Sequence, residues 1–149
     1  MVWISGARLK GPLPRVGDGD AVDRLEQVPG SYRRALAALR VASEEPARWD
    51  DLRADRLLTA LPPTAFDDVP DGVRRLLDGS HDQLALTLET YLDRAGDVKR
   101  TAADLWLHLT SLYYRLRRIE ELAGVDLDRG EDRLLCHVAL RLARLQRSA

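Results

Sequence analysis

Hydrophobic positions are scattered over the first third of the chain and periodic over the last. From Asp82 onward Leu84, Leu88, Tyr91, Leu92 and Ala95 recur at helical intervals, and Gly96 stands at the expected C-cap. Lys99–Leu105 reads as a short helix. Thr110–Ala123 reads as a longer one with Leu112, Leu116, Ile119 and Ala123 on one stripe, and Gly124 ends it. A last helix spans Glu131–Gln146, its stripe formed by Leu134, Leu135, Val138, Leu142 and Leu145. Upstream, the breakers Gly6, Gly11, Pro12, Pro14, Gly17, Gly19, Pro29 and Gly30 leave mostly loop, with Val2-Trp3-Ile4 a short strand. Ser31 is the expected N-cap of a helix to Ala42 that carries Tyr32, Leu36 and Leu39 on one face. Trp49–Leu52 reads as a short strand or a turn. Arg53–Leu61 reads as a helix stopped by Pro62-Pro63, and Asp71 opens a helix over Val73–Leu77 that Gly79 closes. The expected fold is mainly α: a C-terminal helix-turn-helix bundle over residues 80–149, preceded by a small α/β-like part over residues 1–79.

Composition agrees with this pattern. Apolar residues make up 45% of 149 and aromatics 5%, so the core must be built from Leu, Ala and Val, a mixture that favours helix. Cys136 is the sole cysteine, which rules out an intrachain disulfide. No basic-then-apolar leader and no stretch of membrane-spanning length is present, so the expected setting is the cytoplasm, without membrane association. The net charge of −1 is unevenly distributed. Residues 1–97 carry 13 basic and 17 acidic side chains, whereas residues 98–149 carry 10 and 7. An acidic front and a mildly basic back are compatible with an anionic partner for the C-terminal part.

The short helix, the turn and the long helix form one constellation. Ala102 supplies the small residue that lets two helices cross closely, and Leu105, Leu107 and Leu112 supply apolar anchors around the turn. Placing residues 100° apart on the long helix turns Thr110, Tyr113, Tyr114, Arg117 and Arg118 outward, with Ser111 at the edge of that arc. Periodicity alone leaves the purpose of this face open, because many small helical domains have one.

The residues narrow it. Leu88-Glu89-Thr90-Tyr91-Leu92, Gly96-Asp97, Thr101-Ala102, Leu105, His108, Leu112 and the run Tyr114-Arg115-Leu116-Arg117-Arg118-Ile119-Glu120-Glu121-Leu122 before Gly124 closely resemble the C-terminal domain of PucR-type (CdaR-like) transcriptional regulators. Val125-Asp126-Leu127, Glu131-Asp132-Arg133-Leu134 and Ala139-Leu140-Arg141-Leu142 continue the resemblance, which covers about Leu84–Gln146; its helix-turn-helix also looks like that of the Fis group. A second resemblance lies upstream. Ser31-Tyr32-Arg33-Arg34-Ala35 with Leu39, Trp49-Asp50-Asp51-Leu52 and Leu57-Leu58 look like the closing part of the degenerate GGDEF-like regulatory domain that precedes the DNA-binding domain in that family. Trp3-Ile4-Ser5-Gly6 would be the strand before them, and residues 1–79 would then be a remnant of that domain.

The resemblance implies a regulator that binds double-stranded DNA as a homodimer, or as a heterodimer with a related regulator, with no catalysis and no cofactor. Lys99, Arg115, Arg117 and Arg118 would dock on phosphates, Thr110, Ser111, Tyr113 and Tyr114 would face the groove, and His108 would help cap the recognition helix. The chain departs from the family's usual His-Arg-Asn-Thr-Leu at the turn, since His108-Leu109-Thr110-Ser111-Leu112 stands there, and Trp106 is unusually bulky beside it. Those changes keep open a reading of another class: a protein-interaction module that pairs with a related regulator and no longer binds DNA specifically. Other chemistry-bearing residues form no set. Ser80, His81 and Asp82 are adjacent and cannot make a triad from one turn. Cys136 and His137 lack metal-ligand spacing. Gly17-Asp18-Gly19-Asp20 with Asp23 is an incomplete calcium loop, better read as a solvated turn. Arg141, Arg144 and Arg147 suit a helix C-terminus as well as an anionic surface.

Overall fold

A computed structural model describes residues 15–42 and 45–147; the expected strand at Val2-Trp3-Ile4 lies outside them. The fold is mainly α. Among the described residues the elements are β1 (Gly17–Asp18), α1 (Val28–Val41), β2 (Ala47–Arg48), α2 (Asp55–Thr59), α3 (Asp71–Leu76), α4 (Asp82–Asp93), α5 (Val98–Asp104), α6 (Leu109–Ala123) and α7 (Gly130–Arg147). They form two compact units, one comprising residues up to Pro63 with Arg144 onward, the other Thr64–Ala143.

In the first unit β1 and β2 pair in parallel, Gly17 opposite Ala47 and Asp18 opposite Arg48. A Cβ on Gly17 would lie 2.2 Å from the Ala35 carbonyl oxygen, so only glycine lets this strand lie against α1. The start of α1 differs from expectation. The helix begins at Val28 with Pro29 in its first turn, where a missing N–H costs nothing, and Ser31 donates its hydroxyl to the Asp20 carbonyl (2.6 Å) instead of capping. Its buried residues are Ala35 and Ala38, with Ala42 buried at the C-cap, while Tyr32 and Leu36, expected on the apolar face, are exposed and Leu39 is half-buried. Trp49–Asp51 is a single 3-10 turn after β2. The Arg56 and Arg34 guanidiniums stand 5.1 Å and 6.0 Å from the Trp49 ring centre.

The second unit is built around α6. Its buried stripe is Leu112, Leu116, Ile119 and Ala123, as the spacing predicts, and α3, α4 and α5 all pack on this helix. Val73 and Leu76 of α3, Leu88 of α4 and Ala102 of α5 complete the core. Gly72 makes the α3–α6 approach possible, since a Cβ there would lie 2.4 Å from the Ala123 carbonyl oxygen. Helix α4 ends in a Schellman turn, with Gly96 N–H bonded to the Tyr91 carbonyl (2.9 Å) and Ala95 N–H to that of Leu92 (2.9 Å). Both Ala95 (φ 54°) and Gly96 (φ 82°) are left-handed there, so the helix stops before the glycine. On α7 Cys136, Ala139, Leu140, Leu142, Ala143 and Leu145 are buried, so Leu142 and Leu145 lie where the stripe puts them, whereas Leu134, expected on the same stripe, is 65% exposed. Asp93 ties α4 to α7 through His137 (3.2 Å) and Arg141 (3.6 Å).

Candidate nucleic-acid interface

The α5–turn–α6 unit is held from both ends. At the start of α5 the Asp97 carboxylate accepts from the Arg100 backbone N–H at 3.0 Å, satisfying one of the free amides of the first turn. At its end Leu107 N–H reaches the Ala102 carbonyl (2.9 Å) and Trp106 N–H reaches that of Ala103 (3.2 Å), a second Schellman turn. The left-handed position in that turn, ordinarily glycine, is Trp106 (φ 54°), and its side chain is 94% exposed. Leu105 and Leu107 are half-buried on either side of it, as turn anchors should be. Ala102 is buried where α5 meets α6.

His108 occupies the N-cap position of α6 but makes no side-chain capping bond, so the expected capping role is corrected to a backbone one. Its carbonyl accepts from Leu112 N–H (3.0 Å), and extended backbone (φ −67°, ψ 146°) turns the chain into the helix. The outward arc is where the spacing puts it. Thr110, Ser111, Arg117 and Arg118 are exposed, with Tyr113 at 59% and Tyr114 at 73%. The first turn of α6 carries no acidic residue, so its free amides and the positive end of its dipole are not neutralised from within the helix.

The cations divide by role. Lys99 on α5 and Arg117 on α6 are exposed and have no ion pair among the described residues. Arg118 is exposed but bonded to Glu121 at 3.3 Å. Arg115, expected on phosphate, is turned the other way: it is half-buried and donates to Thr87 Oγ1 (3.2 Å) and Gln83 Oε1 (3.4 Å) on α4. The helical angle explains this, because Arg115 sits on the flank of α6 that faces α4 rather than on the outer arc. Two features escaped the sequence reading. Arg100 is a further exposed cation in this unit, partly engaged by Asp97 at 3.4 Å. Leu109, 44% exposed, opens the helix on the same side as Tyr113. The spacing of Asp97 and Arg100 was a readable signal for the first; the four-residue interval from Leu109 to Tyr113 was one for the second.

Among the described residues no group of three or more His, Cys, Asp or Glu could hold a metal, and no helix is long and apolar enough to cross a membrane. Burial pushes the Cys136 thiol up to about 11, with Asp132 adding to the shift, so this buried cysteine holds its proton at neutral pH.

A capped short helix, a left-handed turn and a longer amphipathic helix with a polar and cationic outer face define a helix-turn-helix protein. Comparison with known proteins gives the family. Residues 84–142 match the PucR C-terminal helix-turn-helix domain. An uncharacterised protein of Thermomonospora curvata is 41% identical over 144 residues, covering 93% of this chain and 72% of that protein. The carbohydrate diacid regulator of Escherichia coli is 52% identical over 42 residues, 28% of this chain and 11% of that one. A crystal structure of a regulator of polyketide synthase expression from Bifidobacterium adolescentis superposes with a TM-score of 0.51 at 26% identity, covering 78% of this chain and half of that one. Residues 84–142 of the chain are therefore a helix-turn-helix domain of the PucR type. The match covers only about a tenth of the Escherichia coli regulator's length.

Proposed function

We propose that this chain binds double-stranded DNA and regulates transcription, with α6 as the recognition helix in a major groove. The observation that carries this reading is the joint exposure of Thr110, Ser111, Tyr113, Tyr114, Arg117 and Arg118 on one arc of a helix whose opposite face is fully packed. The match of residues 84–142 to the PucR helix-turn-helix domain supports it, as does the likeness to a protein named as a carbohydrate diacid regulator. In this reading Lys99 and Arg117 are the free phosphate-binding cations, and Arg118 joins them once Glu121 is exchanged for a phosphate. Thr110, Ser111 and Tyr114 face the base edges or the adjoining backbone, and His108 leads the helix in. Arg115 acts through α4, fixing the roll of α6, rather than on the DNA. Two copies, or one copy with a related regulator, would present two such helices to successive turns of the duplex.

Fluorescence anisotropy with a labelled duplex pool of random sequence, at salt from 50 to 200 mM, tests this directly. The reading requires an affinity that falls steeply with salt and weakens at Arg117→Ala; no binding at 50 mM would remove it.

A further inference from the structure

The base-reading end of α6 has an uncommon chemistry. From His108 to Tyr114 there is no Arg, Lys, Asn, Gln, Asp or Glu. Those are the side chains that recognise guanine, adenine or cytosine through paired or directed hydrogen bonds. Apart from the exposed His108 imidazole, what the chain offers there is hydroxyl groups and apolar surface. Leu109 and Tyr113 are one turn apart on the same flank, and both project into solvent, 44% and 59% exposed. Leu109 opens the helix outside the fully packed stripe of Leu112, Leu116 and Ile119.

We propose that Leu109 and Tyr113 determine specificity by contacting the 5-methyl groups of thymine in the major groove. The inference rests on the reading that α6 enters that groove. Thymine is the base whose groove edge carries an apolar group, and apolar side chains read it by covering that methyl. Charge decides between DNA and the other occupant such a surface could have, a second copy of itself. The span Leu105–Ile119 contains no carboxylate, and the cations Lys99 and Arg117, unpaired among the described residues, stand on the two helices beside the patch. Arg100 and Arg118 are engaged by Asp97 and Glu121, and Glu120 and Asp128 lie beside Tyr113. The unpaired cations favour a polyanion over an identical face. Hydroxyls of Thr110 and Ser111, which accept and donate, tolerate either base and leave the discrimination to the methyl contacts.

The test starts by selecting bound sequences from a random duplex pool with the full chain. Each thymine of the selected duplex is then replaced in turn by deoxyuridine, which removes only the methyl. Affinity should fall about fourfold for each contacted methyl lost, and Leu109→Ala should lose the deoxyuridine penalty at the thymine that Leu109 covers, Tyr113→Ala at the thymine that Tyr113 covers, each chain still unfolding cooperatively. Tight binding by the wild type with no thymine-to-deoxyuridine difference overturns the methyl contact and leaves DNA binding intact. Failure to bind any duplex of the pool at low salt overturns the reading beneath it. A Leu109→Ala chain that retains the deoxyuridine penalty but dissociates a dimer in sedimentation assigns the patch to self-association and also overturns the proposal.

Discussion

Replacing Gly72 by alanine should destabilise the helix-turn-helix unit, although the same change in an unencumbered helix would stabilise it. Gly72 is the second residue of α3, and a Cβ there would stand 2.4 Å from the Ala123 carbonyl oxygen, 2.8 Å from its carbonyl carbon and 3.1 Å from its Cα. All three atoms are backbone, so no side-chain rotation relieves the clash. Helix α3 must retreat from α6 by roughly 1 Å, loosening Val73 and Leu76, both fully buried. Overpacking of this kind costs typically 1–3 kcal/mol, against a gain of about 0.5–1 kcal/mol from replacing glycine in a helix. The net expectation is a loss of about 1–2 kcal/mol. Gly130, at the start of α7, has nothing within 4 Å of its ideal Cβ, and Gly130→Ala should be neutral or up to about 1 kcal/mol stabilising. Urea denaturation followed by circular dichroism at 222 nm reads both midpoints. If Gly72→Ala matched Gly130→Ala in sign and size, the close α3–α6 approach would be refuted.

Other outcomes follow from the same geometry. Trp106→Gly should raise stability by up to about 1 kcal/mol in the same assay, because the left-handed backbone costs an L-residue roughly 1–2 kcal/mol and the 94%-exposed ring forfeits little on removal; a loss would show that the indole is anchored. Arg115→Ala should lower the unfolding midpoint by breaking the bonds to Thr87 and Gln83, whereas Arg117→Ala should leave the midpoint unchanged and reduce the salt slope of DNA binding by about one. Cys136 should resist a thiol-disulfide reagent at pH 8 until denaturant is added. Its unfolded thiol ionises near 9 and its folded thiol near 11, so high pH favours the unfolded chain first. Stability on this account is fully present below pH 9 and lost as pH rises through 11, and Cys136→Ala should flatten that part of the profile.

Legibility followed the strength of local patterning. On α6 a four-residue stripe, a glycine stop and a dense cationic face left one solution, and Leu112, Leu116, Ile119 and Ala123 are all buried as the spacing requires. On α1 the same reasoning chose the large apolar residues, but Gly17 brings a strand onto the backbone of Ala35 and Leu39, and the side chains buried on this helix are Ala35 and Ala38. That constraint comes from a segment distant in sequence, and no period within the helix reports it. Gly72 is the counterpart in the other unit, since its value lies in Ala123, which sequence spacing does not connect to it. Arg115 shows a subtler limit. A run of basic residues was legible as cationic, yet the partner that claims each guanidinium depends on whether it faces α4 or solvent. The left-handed Trp106 was visible only as an odd residue beside a turn, because tryptophan gives no sign of adopting a glycine's conformation.

The central claim is that the outer arc of α6, with the start of α5, is the DNA-contacting surface. Titrating a selected duplex into nitrogen-15-labelled chain and following backbone amide shifts tests it most directly. The account predicts that the largest early changes fall on Lys99–Arg100 and on Leu109–Arg118, with the amides of Leu134–Leu140 on α7 nearly still. Shifts centred on α7, or on residues 17–59, with α6 unmoved, would contradict it.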